Sequence, residues 1–543
     1  MLAMPARREG MEISQTDGQD HAVVSLPGGR YLRLGRDAAL LLADLDGTRC
    51  REEVLAQWSA EVGEDSAVQL LEKLCALGLL EDPDGPPPVR ERAFVYRKPL
   101  SFQFTLVRPR RLTGVLRVVG GVLARRPFPQ VYLALLAAGA VAVAVGHRGL
   151  AHAVSTQVSL GTVFQVWAAM LAVGAVHELG HATALARFGG RPRRIGVMLF
   201  YLVPAFFCDV SAGWKLADRG QRVRVALSGV VVNAGVAAAA AIAAALSEGE
   251  TAAFWWLLTC YNVISTVFNL LPFVKLDGYL ALMGRVDVPF LRDKAIGDAR
   301  GWLGRVLYGH PRDEKRLDRP WAVPFGLAAM AFPVAWMGFL LTRILIVPSI
   351  LSWGIAGAVL WLLLVTVAAG RLLYTTARIA FPRRGQGLRA SRGRRLLGLG
   401  VVAAAAGALL FAVPVDGAAT AGYVVLDGRP VLAMPTSGGA VDAVHPGETV
   451  QLRSVGMIGR PVVATAVVDS PPSAPVQVPS AAFSAVKGGS GHTVAVLYRL
   501  REVHGHPLPG GGRATVDTGT TTLAGRLADT YLLPPLRLLT GLG

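Results

Sequence analysis

The sequence contains few charged residues and few cysteines for its length. Only 17% of its 543 residues are charged, whereas a soluble domain typically has about 25%, and the mean hydropathy is +0.44. An ordinary soluble protein is therefore excluded as the class. The four cysteines include no CxxC pair, and none lies after residue 260. A zinc site built from thiolates, or a C-terminal domain joined by disulfides, is not expected.

The N-terminal region lacks the apolar stretch of a signal peptide. Residues 1–20 are polar, so we expect no cleavable signal peptide and predict that this segment is disordered. In residues 22–82, the turn Pro27-Gly28-Gly29 stands between two apolar runs and predicts a β-hairpin. Three segments with apolar residues at helical spacing follow it. A hairpin and three helices indicate a small winged-helix (α+β) domain.

Long apolar runs dominate the middle of the chain. A helix needs about 20 apolar residues to cross a bilayer, and seven runs qualify, at 129–146, 160–187, 221–246, 252–272, 321–346, 350–373 and 395–414. The run 195–210 is shorter and is interrupted by Pro204, which favours a re-entrant or hairpin segment. Residues 83–128 predict a linker followed by an interfacial amphipathic stretch at 102–126. The membrane domain is therefore predicted to occupy 129–414.

The net charge of +18 is concentrated in the connections between apolar runs. Arginines crowd the segments 108–126 and 383–395 without interleaved aromatic residues, so we interpret them as topology signals and expect no nucleic acid partner. The acidic connection 247–250 is predicted to lie outside. The arginine-rich N-terminus is predicted to lie in the cytosol. Seven spans then place the C-terminus on the opposite side of a bacterial-type cytoplasmic membrane.

The C-terminal region, 415–543, is rich in Val, Gly, Pro and Thr with alternating polarity, which is typical of short β-strands. Strands are predicted at 423–425, 431–434, 462–468, 493–498 and 515–523. The fold class predicted from the whole chain is thus a mainly α-helical polytopic membrane protein of about seven spans plus a re-entrant segment. An N-terminal winged-helix domain and a C-terminal extracytoplasmic β-rich domain flank it.

The segment VHELGHATALARF places two histidines and a glutamate inside the second predicted span. His177 and His181 stand at positions i and i+4, so both imidazoles project from one helix face and could bind one Zn²⁺. Glu178 could accept a proton from an attacking water molecule. HExxH also arises by chance, so the motif does not decide the function alone.

A third ligand is predicted from a distant segment, because no further histidine stands at metzincin spacing. The fourth span ends in FNLLPFVKLDGYLAL, where Asp277 offers a carboxylate that could complete a site with two histidines. Pro272 interrupts the helix before it, and a broken segment can fold back to the depth of the histidines. Asn269 could hydrogen-bond a substrate backbone or a developing oxyanion.

These two motifs together resemble the site-2-protease family of intramembrane zinc metalloproteases, over roughly residues 160–285. The resemblance implies His177, His181 and Asp277 as zinc ligands, Glu178 as the catalytic base and Asn269 as a substrate-binding residue. This chain departs from the simplest members, because it has further spans after LDG and lacks a recognisable PDZ insertion. Substrate selection must then depend on another part of the protein.

Both flanking domains carry weaker resemblances. The stretches YLRLGRDAALLLADLDGT and LLEKLCALGLLE resemble PqqD-like domains, in which a leader peptide adds as a strand to the hairpin. The C-terminal stretch SGGAVDAVHPGETVQL resembles the β-domains of periplasmic adaptor proteins. The layout is similar to the peptide-maturation branch of the metalloprotease family, which includes daptide-type enzymes. A dimerisation or DNA-binding role remains an alternative for the winged domain, although it lacks a basic recognition helix.

The sequence favours a zinc endopeptidase that removes the leader of a ribosomally synthesised modified peptide. The expected partners are a precursor or membrane-associated peptide and the lipid bilayer; the oligomeric state stays open. One alternative is regulated cleavage of a membrane-tethered regulator, and another is a non-catalytic export or immunity protein. Asp209 is predicted to be a satisfied interfacial carboxylate, with a polar gate as the alternative. His147, His152, His504 and His506 are predicted to be solvated.

Overall fold

The structure of the protein is a computed structural model. It describes the chain except residues 1–3, 9–10, 16–20, 27–30, 82–93, 98–100, 108, 110–111, 201–202, 310–315, 344–353, 382–391, 436–443, 457, 480–485, 488–491 and 541–543. The predicted Pro27-Gly28-Gly29 turn and the start of the predicted linker, 83–93, lie outside the described residues. The chain forms two compact units, and the boundaries between them pass through four of the long apolar helices.

The N-terminal domain contains a three-stranded antiparallel sheet and three helices. The strands are β1 (Glu12–Gln15), β2 (His21–Ser25) and β3 (Tyr31–Gly35), and the helices are α1 (Arg36–Asp44), α2 (Arg51–Val62) and α3 (Glu64–Ala76). The predicted hairpin, β2 with β3, and the three helices are confirmed. The prediction that residues 1–20 are disordered is wrong for Glu12–Gln15, because its backbone pairs with that of β2. The winged-helix arrangement itself stays a prediction.

The apolar residues of this domain form one core because their helical spacing places them on one face of each helix. Leu41 and Leu42 of α1 are at most 1% exposed, and Trp58 of α2 and Leu74 of α3 pack into the same cluster. Trp58 satisfies its indole N–H by donating to Asp44 Oδ2 at 3.1 Å. Burial of this kind contributes about 1.5–3 kcal/mol for each large side chain.

Residues 94–155 follow this domain and include the first of the long apolar helices. They form β4 (Phe94–Arg97), β5 (Ser101–Val107), α4 (Leu112–Leu123), α5 (Phe128–Val145) and α6 (His147–Ser155). The predicted interfacial stretch, 102–126, is therefore a strand followed by a helix, and its position at a membrane surface stays a prediction. Helix α5 is apolar on all sides, as expected of a helix in lipid.

Among the described residues, six helices are long and apolar enough to cross a membrane. A two-residue strand, β6 (Val158–Ser159), directly precedes the second of them. With α5, the six are α7 (Leu160–Arg187), α8 (Arg219–Ala245), α9 (Gly249–Leu270) and, after three intervening helices, α13 (Ile355–Ala380) and α14 (Arg392–Phe411). The protein is therefore a multi-pass membrane protein, mainly helical, and six of the seven predicted spans match a described helix that is long enough to cross a membrane.

The three intervening helices are α10 (Asp277–Val286), α11 (Leu291–Tyr308) and α12 (Ala322–Arg343). Helix α12 corresponds to the predicted span at 321–346. Its described apolar part, Ala322–Trp336, is shorter than the other six helices, so a seventh span stays a prediction.

The apolar run 195–210 forms a β-hairpin, in agreement with the hairpin alternative. Its strands are β7 (Ile195–Phe200) and β8 (Val203–Cys208), followed by a 3₁₀ helix at Ser211–Lys215. The hairpin extends β4 and β5 into a four-stranded antiparallel sheet with the order β4-β5-β7-β8. Strand pairing satisfies the backbone donors and acceptors that an unpaired apolar segment would leave open. Strand β8 lies at one edge of this sheet.

The C-terminal domain is a closed β-sheet. Its strands are β9 (Pro414–Leu426), β10 (Arg429–Pro435), β11 (Thr449–Arg453), β12 (Val462–Val468), β13 (Val476–Pro479), β15 (His492–Gly505) and β16 (Gly512–Thr522). A further two-residue strand, β14 (Val486–Lys487), pairs with β6 in a separate sheet. The order β10-β9-β16-β11-β12-β15 closes into a barrel because β10 also pairs with β15. Alternating residues fill the interior, among them the fully buried Tyr423, Leu432 and Tyr498. The five predicted strands are present, whereas β11, β13 and β14 were missed.

Two short helices end the chain, α15 (Leu523–Tyr531) and α16 (Leu533–Thr540). The expectation that 415–543 contains only strands is therefore wrong for residues 523–540. Thr522 caps α15 by accepting the N–H of Gly525 at 3.1 Å, and Trp361 of α13 donates its indole N–H to Tyr531 O at 2.8 Å. Their apolar residues thus pack beside an apolar helix instead of entering the barrel.

We expect Gly139→Ala to destabilise the packing of α5 against α8. A Cβ at this position would lie 2.6 Å from Ala238 Cα and 2.5 Å from Ala238 Cβ, and such overpacking costs about 1–3 kcal/mol. Val141→Leu is the control, because Val141 on the same helix is 61% exposed. Thermal unfolding of both variants in detergent measures the effect. Equal unfolding midpoints for the two variants would contradict this helix contact.

Candidate metal centre

Helix α7 carries His177 and His181 on one face, one turn apart, as the spacing predicts. Both side chains are buried, with 9% and 5% of each residue exposed. Their Nε2 atoms lie 3.2 Å apart, and the two rings meet edge to face with centroids 4.9 Å apart. The helix therefore directs two potential ligand atoms to the same point.

Asp277 reaches this point from the first turn of α10. Its Oδ2 lies 3.1 Å from His177 Nε2, and its Oδ1 lies 3.4 Å from His181 Nε2. The chain turns sharply between α9 and α10, and a Cβ on Gly278 would lie 2.3 Å from Leu270 O. Glycine is therefore required for this close approach. The predicted meeting of all three residues is confirmed.

The far end of α10 is fixed by a buried ion pair. Asp287 follows α10 in a left-handed backbone conformation, and its Oδ1 lies 2.7 Å from Arg222 Nη2 on α8. Arg222 is 8% exposed and also donates to Leu216 O at 2.7 Å. Breaking such a pair leaves a buried charge uncompensated. The helix that carries Asp277 is thus held at both ends.

The outer nitrogens of both histidines are occupied by acceptors. His181 Nδ1 lies 2.8 Å from the carbonyl oxygen of Val225, which can only accept a hydrogen bond. His177 Nδ1 lies 3.2 Å from Asn233 Oδ1. In the neutral imidazoles these contacts place the proton on Nδ1, so each Nε2 presents its lone pair to the centre.

The three side chains fit a metal ion. One ligand atom from each lies within 4.8 Å of the other two, and no described residue outside the cluster donates a hydrogen bond to the buried Asp277 Oδ2. Without a cation, two lone pairs and a carboxylate would repel each other. The cluster could therefore hold a metal ion. Among the described residues, this is the one group of three or more His, Cys, Asp and Glu side chains with that geometry.

A polar network on α8 and α9 supports His177. Asn233 is 3% exposed and donates from Nδ2 to Ser265 Oγ at 2.9 Å. Asn269, predicted to bind substrate, donates to the same oxygen at 3.3 Å. Asn269 is thus linked to His177 through two intermediate residues. Sequence reasoning missed Asn233: an amide in the apolar run of α8 indicates a buried polar contact, but it does not indicate which residue is the partner.

Small residues allow α8 to approach the histidines closely. A Cβ on Gly229 would lie 2.4 Å from His177 Nε2 and 2.5 Å from His181 Nε2. Ser228 Oγ lies 3.2 Å from His181 Nδ1 and donates to Val225 O at 2.7 Å. Glycine at 229 therefore leaves open the space into which both Nε2 atoms point.

Glu178 lies beside this centre and contacts the edge strand β8. Its Oε2 accepts the backbone N–H of Cys208 at 2.8 Å, and its carboxylate is within electrostatic range of both histidines and Asp277. The neighbouring N–H, that of Asp209, donates to Arg194 O at 2.8 Å. Successive N–H groups alternate in direction along a strand, so Cys208 directs its donor away from the sheet, toward Glu178.

The other polar residues that the sequence singled out lie outside the centre, and the four histidines predicted to be solvated, at 147, 152, 504 and 506, are exposed. Asp209 Oδ1 accepts from Ser211 N at 3.1 Å, and Oδ2 lies 3.8 Å from Arg194 Nε, which agrees with a satisfied carboxylate. His147 Nδ1 lies 3.0 Å from Ala144 O, and His504 Nδ1 lies 2.7 Å from Glu502 O. None of these contacts forms part of the candidate metal centre.

Comparisons with protein families, with characterised proteins and with solved structures find no match to this chain.

We expect Gly229→Ala to disrupt metal binding. The added methyl group would occupy the space between the two Nε2 atoms, and we predict that metal affinity falls at least about tenfold, as for changes that disturb ligand orientation. Gly220→Ala is the matched control on the same helix, because the atoms nearest its Cβ are flexible side-chain ends at 3.3 Å or more. Competition with a chromophoric chelator measures the affinity. Unchanged binding in Gly229→Ala would contradict the assigned centre.

Proposed function

We propose that the protein is an intramembrane zinc endopeptidase. The observation that supports this most strongly is the convergence of His177, His181 and Asp277, with the carboxylate of Glu178 beside them. This arrangement is what the resemblance to the site-2-protease family implies. His177, Glu178 and His181 lie in the apolar helix α7. Ionisable side chains are costly in such a helix and are usually retained for a function.

The donor set suits zinc. Two imidazole nitrogens and one carboxylate oxygen are the three-ligand pattern of catalytic zinc sites, which keep a further position open. When bound, Zn²⁺ supplies Lewis acidity that polarises the scissile carbonyl and favours loss of a proton from water. The orientation of each imidazole comes from Asn233 and Val225, and partners of this kind commonly tune metal affinity by 10- to 100-fold.

Glu178 acts as the general base in this proposal. It accepts a proton from the water molecule whose oxygen attacks the carbonyl carbon, and it returns the proton to the amide nitrogen as the C–N bond breaks. The N–H of Cys208 holds the carboxylate in position. Asn269 donates to the substrate backbone with the N–H that is not directed at Ser265.

The edge strand β8 presents the substrate. Proteases cleave extended chains, because a helical substrate hides its carbonyl groups in its own hydrogen bonds. A peptide that adds as a strand to β8 would run past Cys208 and Glu178, which are joined by the 2.8 Å hydrogen bond. Main-chain pairing supplies affinity with little dependence on sequence, so this edge alone would not select the substrate.

The N-terminal domain selects the substrate by binding a leader peptide. Its sheet has the order β1-β2-β3, which leaves β3 at an edge with room for one further strand. This arrangement is consistent with the resemblance to PqqD-like domains. The proposed function is therefore removal of the leader from a ribosomally made peptide at a cytoplasmic membrane.

We expect Glu178→Gln to abolish cleavage while metal binding persists. Glutamine keeps the size of the side chain but cannot accept the proton, and the loss should reach at least about 100-fold, the scale of general base catalysis. His181→Ala is the comparison, because it should lose both metal and cleavage. Mass spectrometry of a precursor incubated with each detergent-purified variant measures the product. Full cleavage by Glu178→Gln would rule out the proposed mechanism.

We expect a separate leader peptide to inhibit cleavage of the complete precursor. The free leader would occupy the edge of β3 and so compete for the N-terminal domain, whereas it should leave the slow cleavage of a leaderless core peptide unchanged. A titration followed by mass spectrometry tests this. Equal inhibition of both substrates would contradict leader recognition. Efficient cleavage of a transmembrane substrate without a leader would instead favour regulated proteolysis.

A further inference from the structure

Ser265 of the apolar helix α9 is bonded to two amide side chains. Its Oγ accepts an N–H from Asn233 Nδ2 of α8 at 2.9 Å and a second N–H from Asn269 Nδ2 at 3.3 Å. A serine hydroxyl oxygen has two lone pairs, so these two contacts use its full capacity as an acceptor. Ser265 is therefore a branch point between α8 and the end of α9.

The first branch leads to the candidate metal centre. Asn233 is 3% exposed, and its Oδ1 lies 3.2 Å from His177 Nδ1. The amide thus directs its oxygen to the imidazole and its N–H groups to the other side, where Ser265 Oγ accepts one of them. A buried N–H without an acceptor is costly. The serine hydroxyl therefore stabilises the orientation of the amide that His177 requires.

This orientation matters for the metal because it decides which nitrogen of His177 carries the proton. While the amide oxygen faces Nδ1, the neutral ring holds its proton there and directs a lone pair from Nε2 to the centre. Without the hydroxyl of Ser265, the amide of Asn233 is free to turn. If its N–H edge faced the ring, the proton would lie on Nε2 and block coordination by His177.

The second branch leads to the residue that contacts the substrate in the proposed function. Asn269 follows Ser265 by four residues, so both side chains project from one face of α9. Their hydrogen bond uses one N–H of the Asn269 amide and leaves the second N–H for the substrate backbone. Because the tether restricts rotation of the side chain, less conformational entropy is lost when substrate binds.

We propose that Ser265 is a positioning residue that holds both Asn233, the orienting partner of His177, and the substrate-binding Asn269. The metal-side role requires only the candidate metal centre, whereas the substrate-side role rests on the proposed function. Replacing Ser265 should therefore weaken zinc binding and substrate binding together, although its hydroxyl contacts neither.

The first measurement is the zinc affinity of the full chain in detergent, by competition with a chromophoric chelator. We expect Ser265→Ala to bind zinc about tenfold more weakly, as when a residue that orients a metal ligand is changed. Ser265→Thr should restore most of the affinity, because threonine keeps the hydroxyl. Thr266→Val is the matched control, because the buried Oγ1 of Thr266 has no hydrogen-bond partner among the described residues. It should bind zinc as the unchanged protein does.

A double-mutant cycle tests whether Ser265 acts through Asn233. In the Asn233→Ala background, Ser265→Ala should cause no further loss of zinc affinity. The same loss with and without Asn233 would overturn the proposal, as would equal zinc affinities of Ser265→Ala and Thr266→Val. If Ser265→Ala does not fold, Ser265→Cys is measured with the same expectation, because a thiol is a weak acceptor.

The second measurement is cleavage of a precursor peptide at saturating zinc. We expect Ser265→Ala to raise KM about three- to tenfold, the scale of one lost hydrogen bond, with little change in kcat. Thr266→Val should leave both constants unchanged. An unchanged KM in Ser265→Ala would overturn the proposal that one residue serves both sides. If the unchanged protein cleaves no precursor, the proposed function fails, and the double-mutant cycle alone decides the role of Ser265.

Discussion

Three electron-pair donors face one another inside an apolar part of this protein, and that constraint organises the centre. His177 Nε2 and His181 Nε2 lie 3.2 Å apart, and the carboxylate of Asp277 lies within 3.4 Å of both. Their outer nitrogens contact acceptors, so in the neutral imidazoles the protons lie on those nitrogens and the lone pairs point to the centre. Such an arrangement is unfavourable without a cation, because buried groups of this kind must be compensated. A bound divalent ion converts the repulsion into coordination.

The surrounding helices serve to hold these donors in place. Helix α8 contributes the most: Val225 and Asn233 orient the imidazoles, Gly229 leaves space for them, and Arg222 anchors the end of α10. The hairpin of β7 and β8 adds an edge strand whose N–H group at Cys208 contacts Glu178. Helix α7 carries two ligands and the base, whereas the third ligand and the orienting residues come from α10 and α8. A change in any of these helices should therefore alter the geometry of the centre.

The sequence predicted the positions of site residues where the spacing of the residues along the chain determines their arrangement in space. The i, i+4 histidines predicted a shared face, and Asp277 could be inferred because a proline-broken segment can return to the same depth. The role of Asn233 could not be inferred, because an amide in an apolar helix has no spacing that indicates its partner. The segment 195–210 was ambiguous, since its apolar residues suit a strand or a membrane segment equally, and only pairing with β5 decides. The terminal helices were missed because Thr-rich β16 continues into them without a break.

X-ray absorption at the zinc edge of the purified protein tests the central claim most directly. We expect one zinc ion per chain, with two imidazole nitrogens and a carboxylate oxygen at about 2.0–2.2 Å and without sulfur. Replacing Asp277 by alanine should remove the oxygen contribution and lower the zinc content. A protein that binds no zinc, or a spectrum dominated by sulfur at about 2.3 Å, as Cys208 would give, would contradict the account.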